Sequence, residues 1–251
     1  MSFITYILEA IFNAIKMFVL VILPFGALTI MLQFFSQQIG GKISRVIGYR
    51  NYIYLTSVGV AIHELGHAFF CVLFGHKIKA LVPFTLNKGE CLGYVSHSYN
   101  PGNLYHRIGN FFIGTGPIWA GFSSVVLLSE ILLPPEIFSL SIEKEINPIN
   151  FIYGIFNPVF WINPLSYIWI YLTVSITLHI SLSKPDIKGA LDGAIAIFVV
   201  VLLLNLLFSW YVCISDVIIA ISTKIFCFFA PVMLIILLAL LITSCVFQKK
   251  S

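Results

Sequence analysis

The chain has 251 residues, 59% of them hydrophobic and 10% charged, with a mean hydropathy of +1.01 and a formal charge of +4 at pH 7. Soluble domains carry roughly a quarter charged residues, so these values exclude an ordinary water-soluble fold and point to a multi-pass integral membrane protein. The basic residues are scattered between apolar runs rather than gathered in a stripe, which argues against nucleic acid as a partner.

At about 20 residues per span, the length accommodates about six transmembrane helices. The reading is an all-α polytopic membrane protein with a small β-hairpin, organised as a single domain over 1–251. Its core covers 52–210, and 211–251 adds a C-terminal span. The five cysteines, Cys71, Cys91, Cys213, Cys227 and Cys245, are odd in number and form no CxxC pair, so no disulfide framework is expected. The first residues lack a basic n-region and a small-residue cleavage site, so the N-terminus is expected to be retained and to lead into the first span.

In chain order, the first span is expected over about 1–35, with Glu9 and Lys16 at the interface and Pro24 bending the helix. A polar connection with Gly40, Gly41, Lys42, Arg45 and Arg50 follows. The second span, about 52–74, carries His63-Glu64-Leu65-Gly66-His67. It stops at Gly75-His76-Lys77, where a C′ glycine and basic groups suit a helix C-terminus. The period then changes, and 78–84 and 92–96 read as two short strands joined by a turn at 87–90. Such a hairpin edge offers backbone hydrogen bonds to an extended peptide. His97 and His106 read as solvated loop histidines.

The third span, about 108–133, contains Gly109, Gly114, Gly116-Pro117 and Gly121, small residues that let neighbouring helices approach closely. Residues 134–164 read as a less apolar connection at the membrane surface, with Glu136, Glu143, Glu145 and the aromatics Phe156, Phe160 and Trp161. A fourth span covers about 165–182 and breaks at Ser183-Lys184-Pro185-Asp186. The fifth runs from there to about 210, and the sixth over about 225–247.

The chemistry lies in the second span. On a helix, His63 and His67 are four residues apart and project from one face, so both imidazoles can hold one Zn²⁺ per chain while Glu64 activates a water. Unpaired charged or metal-binding groups in hydrocarbon each cost on the order of a few kcal/mol, which favours a site over coincidence. Such a zinc takes three protein ligands and an open position, so a third ligand is needed. The candidates are Asp192 and Asp186. If the C-terminal end of the motif helix and the Ser183 end of the fifth span share a membrane face, His67 and His63 lie about 12 and 18 Å deep, Asp192 about 13 Å and Asp186 only about 4–5 Å. Ser183 and Asp186 also form a capping-box pattern that accounts for Asp186 by itself. The expectation is therefore Asp192, with Asp186 as the alternative. The same arrangement gathers Lys77, Lys79, Lys88, Arg107, Lys184, Lys188, Lys249 and Lys250 on one side, expected to be cytoplasmic along with both termini; in a bacterium the membrane would be the cytoplasmic one.

HELGH within a span, Gly116-Pro117 in a glycine-rich span and Leu191-Asp192-Gly193 heading a later one resemble the site-2 protease family of intramembrane zinc metalloproteases, over roughly 58–200. The resemblance implies that His63, His67 and Asp192 bind zinc and that Glu64 is the general base. Here Gly116-Pro117 continues to Ile118-Trp119-Ala120-Gly121 where the family often has an asparagine, and Ser183-Lys184-Pro185-Asp186 stands where an Asn/Pro-rich lead-in is usual. The expected activity is endopeptidase action on a membrane-embedded or membrane-associated protein or peptide. The alternative is a metal-binding or structural membrane protein that keeps HExxH without turnover; intact Glu64 speaks against it, because binding zinc needs no general base.

Overall fold

The computed structural model describes residues 3–86, 92–138 and 148–208, with short stretches at 216–220, 222–223, 237, 240–242 and 244–245. The hairpin turn at 87–90, Cys91, Glu143, Glu145, Cys213, Cys227, the end of the fifth span at 209–210, most of the sixth span over 225–247 and the Lys249-Lys250 tail lie outside the described residues.

The first helix, α1 (Phe3–Ile47), does not stop near residue 35 but runs on through the expected polar connection. Leu32, Ser36, Ile39, Gly40 and Ile43 recur at helical spacing and are buried, so this stretch has an interior face despite its polar composition. Gly48, at φ 84, then turns the chain into α2 (Tyr49–Leu55), and Tyr52 brings its hydroxyl against Gly40, where a Cβ would lie 2.6 Å from the oxygen. The motif helix, α3 (Ser57–Leu73), is bent from α2 by 60° at Thr56, so the expected second span is not one straight helix.

After Gly75, at φ 70, the chain forms the expected hairpin. Strand β1 (Lys77–Val82) pairs antiparallel with β2 (Tyr94–Ser98), with Ile78 opposite His97 and Val82 opposite Tyr94. Helix α4 (Leu104–Leu132) starts from an Asn103 cap, whose side chain accepts a hydrogen bond from the Tyr105 amide, and it matches the expected third span. The connection at 134–164 holds α5 (Pro148–Phe156) and α6 (Pro158–Ile162). Phe156 and Trp161 are exposed there, whereas Phe160 is buried against Trp169. Helices α7 (Pro164–His179) and α8 (Lys184–Phe208) follow.

Among the described residues, three helices are long and apolar enough to cross a membrane: α1, α4 and α8, or four if the bent pair α2 and α3 is counted as one span. With 16 residues, α7 falls short of the ~20 that a span needs.

The helix directions follow from which residues meet. Gly66 packs on Gly116 and Phe74 on Gly109, so α3 and α4 are antiparallel. Along α4 in the opposite direction, Trp169 meets Ser129, Ile176 and Ile180 meet Gly121, Asp186 and Ala190 meet Gly114, and Gly193 meets Phe111. Thus α7 and α8 do not form an antiparallel pair of spans. They succeed one another in the same direction, parallel to α3, around a break at 180–183 in which Ile180 and Leu182 are buried. The turn bearing Lys184 and Lys188 therefore lies beside the middle of α4, not at the end that carries the hairpin.

In lipid, apolar burial supplies little drive for helix association, so close packing carries more of the stability. A Cβ on Gly66 would lie 2.6 Å from the Gly116 carbonyl oxygen, which belongs to backbone and cannot swing away. Gly66→Val is therefore expected to destabilise the chain by at least the ~1–3 kcal/mol typical of overpacking. Gly26→Ala, where nothing lies within 4 Å of the added carbon, is expected to be tolerated. Thermal unfolding of the purified variants in detergent checks this; equal midpoints would contradict the packing account.

Candidate metal centre

The helical spacing of HELGH places both imidazoles on one side of α3, facing α4 and the α7–α8 break. A carbonyl oxygen only accepts hydrogen bonds, so the partners of the two rings fix their tautomers. His63 donates from Nδ1 to the His179 carbonyl at 2.7 Å, and His67 donates from Nδ1 to the Ile113 carbonyl at 2.7 Å. In the neutral rings both Nε2 atoms then carry lone pairs, and these two atoms lie 3.3 Å apart.

Each acceptor is free for a local reason. In a helix the carbonyl of Ile113 would bond the amide of residue 117, but that residue is Pro117, which has none. His179 ends α7, where carbonyls lack intrahelical donors. The His179 ring is itself held, its Nε2–H donating to Thr56 Oγ1 at 2.7 Å while that hydroxyl donates to the Tyr52 carbonyl at 2.9 Å. The bend between α2 and α3 and the end of α7 are thereby tied together behind His63.

The third group is Asp186. Its Oδ1 lies 3.3 Å from His67 Nε2 and its Oδ2 3.8 Å from His63 Nε2, and these three residues form a cluster able to hold a metal ion. The capping-box reading of Asp186 also stands, with Ser183 N–H donating to Oδ2 at 2.7 Å and Asp186 N–H donating to Ser183 Oγ at 3.3 Å.

Asp192, the expected third ligand, is not in that group. It lies apart from the histidines, accepting hydrogen bonds from Arg107 Nη2 at 3.1 Å and Asn110 Nδ2 at 2.9 Å, with 39% of its side chain exposed. The end of α3 and the start of α8 do not share a face. Because α3 and α8 are parallel, the first turn of α8 is level with the motif, and Asp192 lies about 9 Å further along the axis.

Glu64 is buried, with its Cγ packed against Gly93 at the root of β2, and is close enough to interact electrostatically with His67 and Asp186. The hairpin thus closes over the carboxylate. Sequence reasoning missed the contributions of His179, Ile113 and Gly93. Any residue can supply a backbone carbonyl, so only Pro117, four residues after Ile113, marked one in advance.

No protein-family model, curated protein or solved structure matches the chain.

Proposed function

We propose that the chain is a zinc-dependent intramembrane endopeptidase, with His63, His67 and Asp186 holding one Zn²⁺ and Glu64 as general base. The observation that carries this reading is the convergence of two Nε2 lone pairs and a carboxylate. Three electron-rich groups at 3.3–3.8 Å repel one another unless a positive charge lies among them. A tetrahedral zinc with Zn–N and Zn–O near 2.0–2.2 Å separates its ligand atoms by about 3.3–3.6 Å, which matches the two separations of 3.3 Å and is a little short of the 3.8 Å between His63 Nε2 and Asp186 Oδ2. Each histidine donates its other N–H to a backbone carbonyl, the outer support usual for metal-binding imidazoles. The resemblance of HELGH and its glycine-rich neighbour to site-2 proteases supports the same reading.

When bound, zinc supplies Lewis acidity toward the scissile carbonyl and acidifies a water. The protein residues do the rest. His63, His67 and Asp186 fix the position of the centre, leaving one side open. Glu64 takes the proton from the attacking water and returns it to the leaving amide nitrogen. The hairpin, paired only within itself among the described residues, offers a strand edge beside Glu64 to a substrate segment drawn into extended form.

N-terminal labelling of membrane peptides from cells with and without the chain tests this. New N-termini inside or next to apolar segments are expected only when the chain is present; identical peptide sets would contradict the peptidase reading. Restoring the missing amide with Pro117→Ala is expected to take the Ile113 carbonyl from His67 and to weaken zinc binding by roughly 10–100-fold. Competition with a zinc chelator measures this, and unchanged affinity would remove Pro117 from the site's support.

A further inference from the structure

The structure holds a second convergence of metal-binding side chains, at the far end of α3. Cys71, in the last turns of the helix, is fully buried. Gly75 turns the chain back so that the His76 amide donates to the Cys71 carbonyl at 2.8 Å, which brings the His76 ring over the helix end. His97 reaches the same place from β2, opposite Ile78. His76 donates from Nε2 to the His106 carbonyl at 2.9 Å, so its Nδ1 carries a lone pair, and that atom lies 3.1 Å from His97 Nδ1. One ligand atom from each of Cys71, His76 and His97 lies within 4.8 Å of the others. Tyr99 stacks on the His76 ring with centroids 4.9 Å apart, which fixes its plane.

We propose that Cys71, His76 and His97 form a second metal site, separate from the HELGH centre, that takes Zn²⁺ or a similar borderline divalent ion through one thiolate and two imidazoles. A nitrogen–nitrogen separation of 3.1 Å is near the ~3.3 Å between two ligands of a tetrahedral zinc. His76 has the same outer support as His63 and His67, a backbone carbonyl on its other nitrogen. Sulfur with imidazole nitrogen selects zinc, copper or nickel over magnesium and calcium, which take oxygen. The site ties the end of the motif helix to the strand that follows Gly93, and so braces the hairpin over Glu64.

The full chain in detergent, stripped and reloaded with Co²⁺, provides the test, because thiolate coordination gives a near-ultraviolet charge-transfer band that the HELGH centre cannot produce. The band is expected in the wild type and in Asp186→Ala, and is expected to vanish in Cys71→Ala and in His97→Gln. The second of these changes a half-buried strand residue and leaves the helix core intact. No band at saturating Co²⁺, or a band that survives both substitutions, overturns the proposal. Failure of the HELGH reading has a different signature, namely zinc content unaffected by Asp186→Ala.

Discussion

Asp186→Ala is expected to remove the zinc held with His63 and His67, whereas Asp192→Ala is expected to leave it in place. Loss of a direct ligand should exceed the ~10–100-fold weakening that changes in outer support produce. The substitution also leaves the two Nε2 lone pairs, 3.3 Å apart, without their anionic partner. Asp186→Ala further breaks the capping box at the start of α8, at a cost of about 0.5–2 kcal/mol. Asp186→Asn, which keeps an oxygen for Ser183 N–H but lacks the charge, separates the two effects and is expected to lose most of the zinc held with His63 and His67, with little loss of stability. Zinc per chain, measured on the purified variants, decides it; depletion by Asp192→Ala with retention in Asp186→Ala would move the ligand role to Asp192.

The second large effect is expected from Glu64→Gln. General-base catalysis contributes typically about 10²–10⁴-fold, and the amide keeps the shape of Glu64 while removing its basicity. Zinc content should be unchanged, since Glu64 is not among the three converging groups. The membrane N-termini that depend on the chain should fall by that factor or disappear. Equal cleavage by wild type and Glu64→Gln would remove the general base from the mechanism, and equal cleavage by Asp186→Ala as well would point to another protein as their source.

Much of the local structure is legible in the residues. The i, i+4 histidines, the C′ Gly75, the short strands read at 78–84 and 92–96 and the small-residue face of α4 are short-range patterns, and each has a structural counterpart, the strands at 77–82 and 94–98. Helix direction is a different matter. Apolar runs mark α7 and α8 but carry no sign of whether the chain reverses between them, and Ser183-Lys184-Pro185-Asp186 looks like an ordinary surface turn. In the fold Ser183 ends a break at 180–183 and Lys184, Pro185 and Asp186 open α8, within a path that continues along α4. That change of direction brings the third residue of α8, and not the ninth, beside His63 and His67. The two roles of Asp186, cap and metal-cluster member, are compatible. A carboxylate has two oxygens, and here Oδ2 accepts from Ser183 while Oδ1 faces His67. Composition likewise hid the inner face of α1 beyond residue 35, where Ser36 donates to the carbonyls of Leu32 and Thr177.

The placement of Asp186 level with the motif also bears on the chemistry. A helix N-terminus carries partial positive charge, and here the first turn of α8 lies inside the bundle beside His63 and His67 rather than at its end. Broken helices are tolerated at membrane depth where protein surrounds them, and their exposed ends commonly line ion and substrate sites. The break at 180–183 meets that condition through the buried Ile180 and Leu182.

The most direct measurement is an anomalous-scattering map at the zinc edge from crystals of the zinc-loaded chain. The account requires a peak within about 2.2 Å of His63 Nε2, His67 Nε2 and an Asp186 carboxylate oxygen. A zinc-replete protein with no density among those three atoms, or with the ion bound beside Asp192, would contradict it.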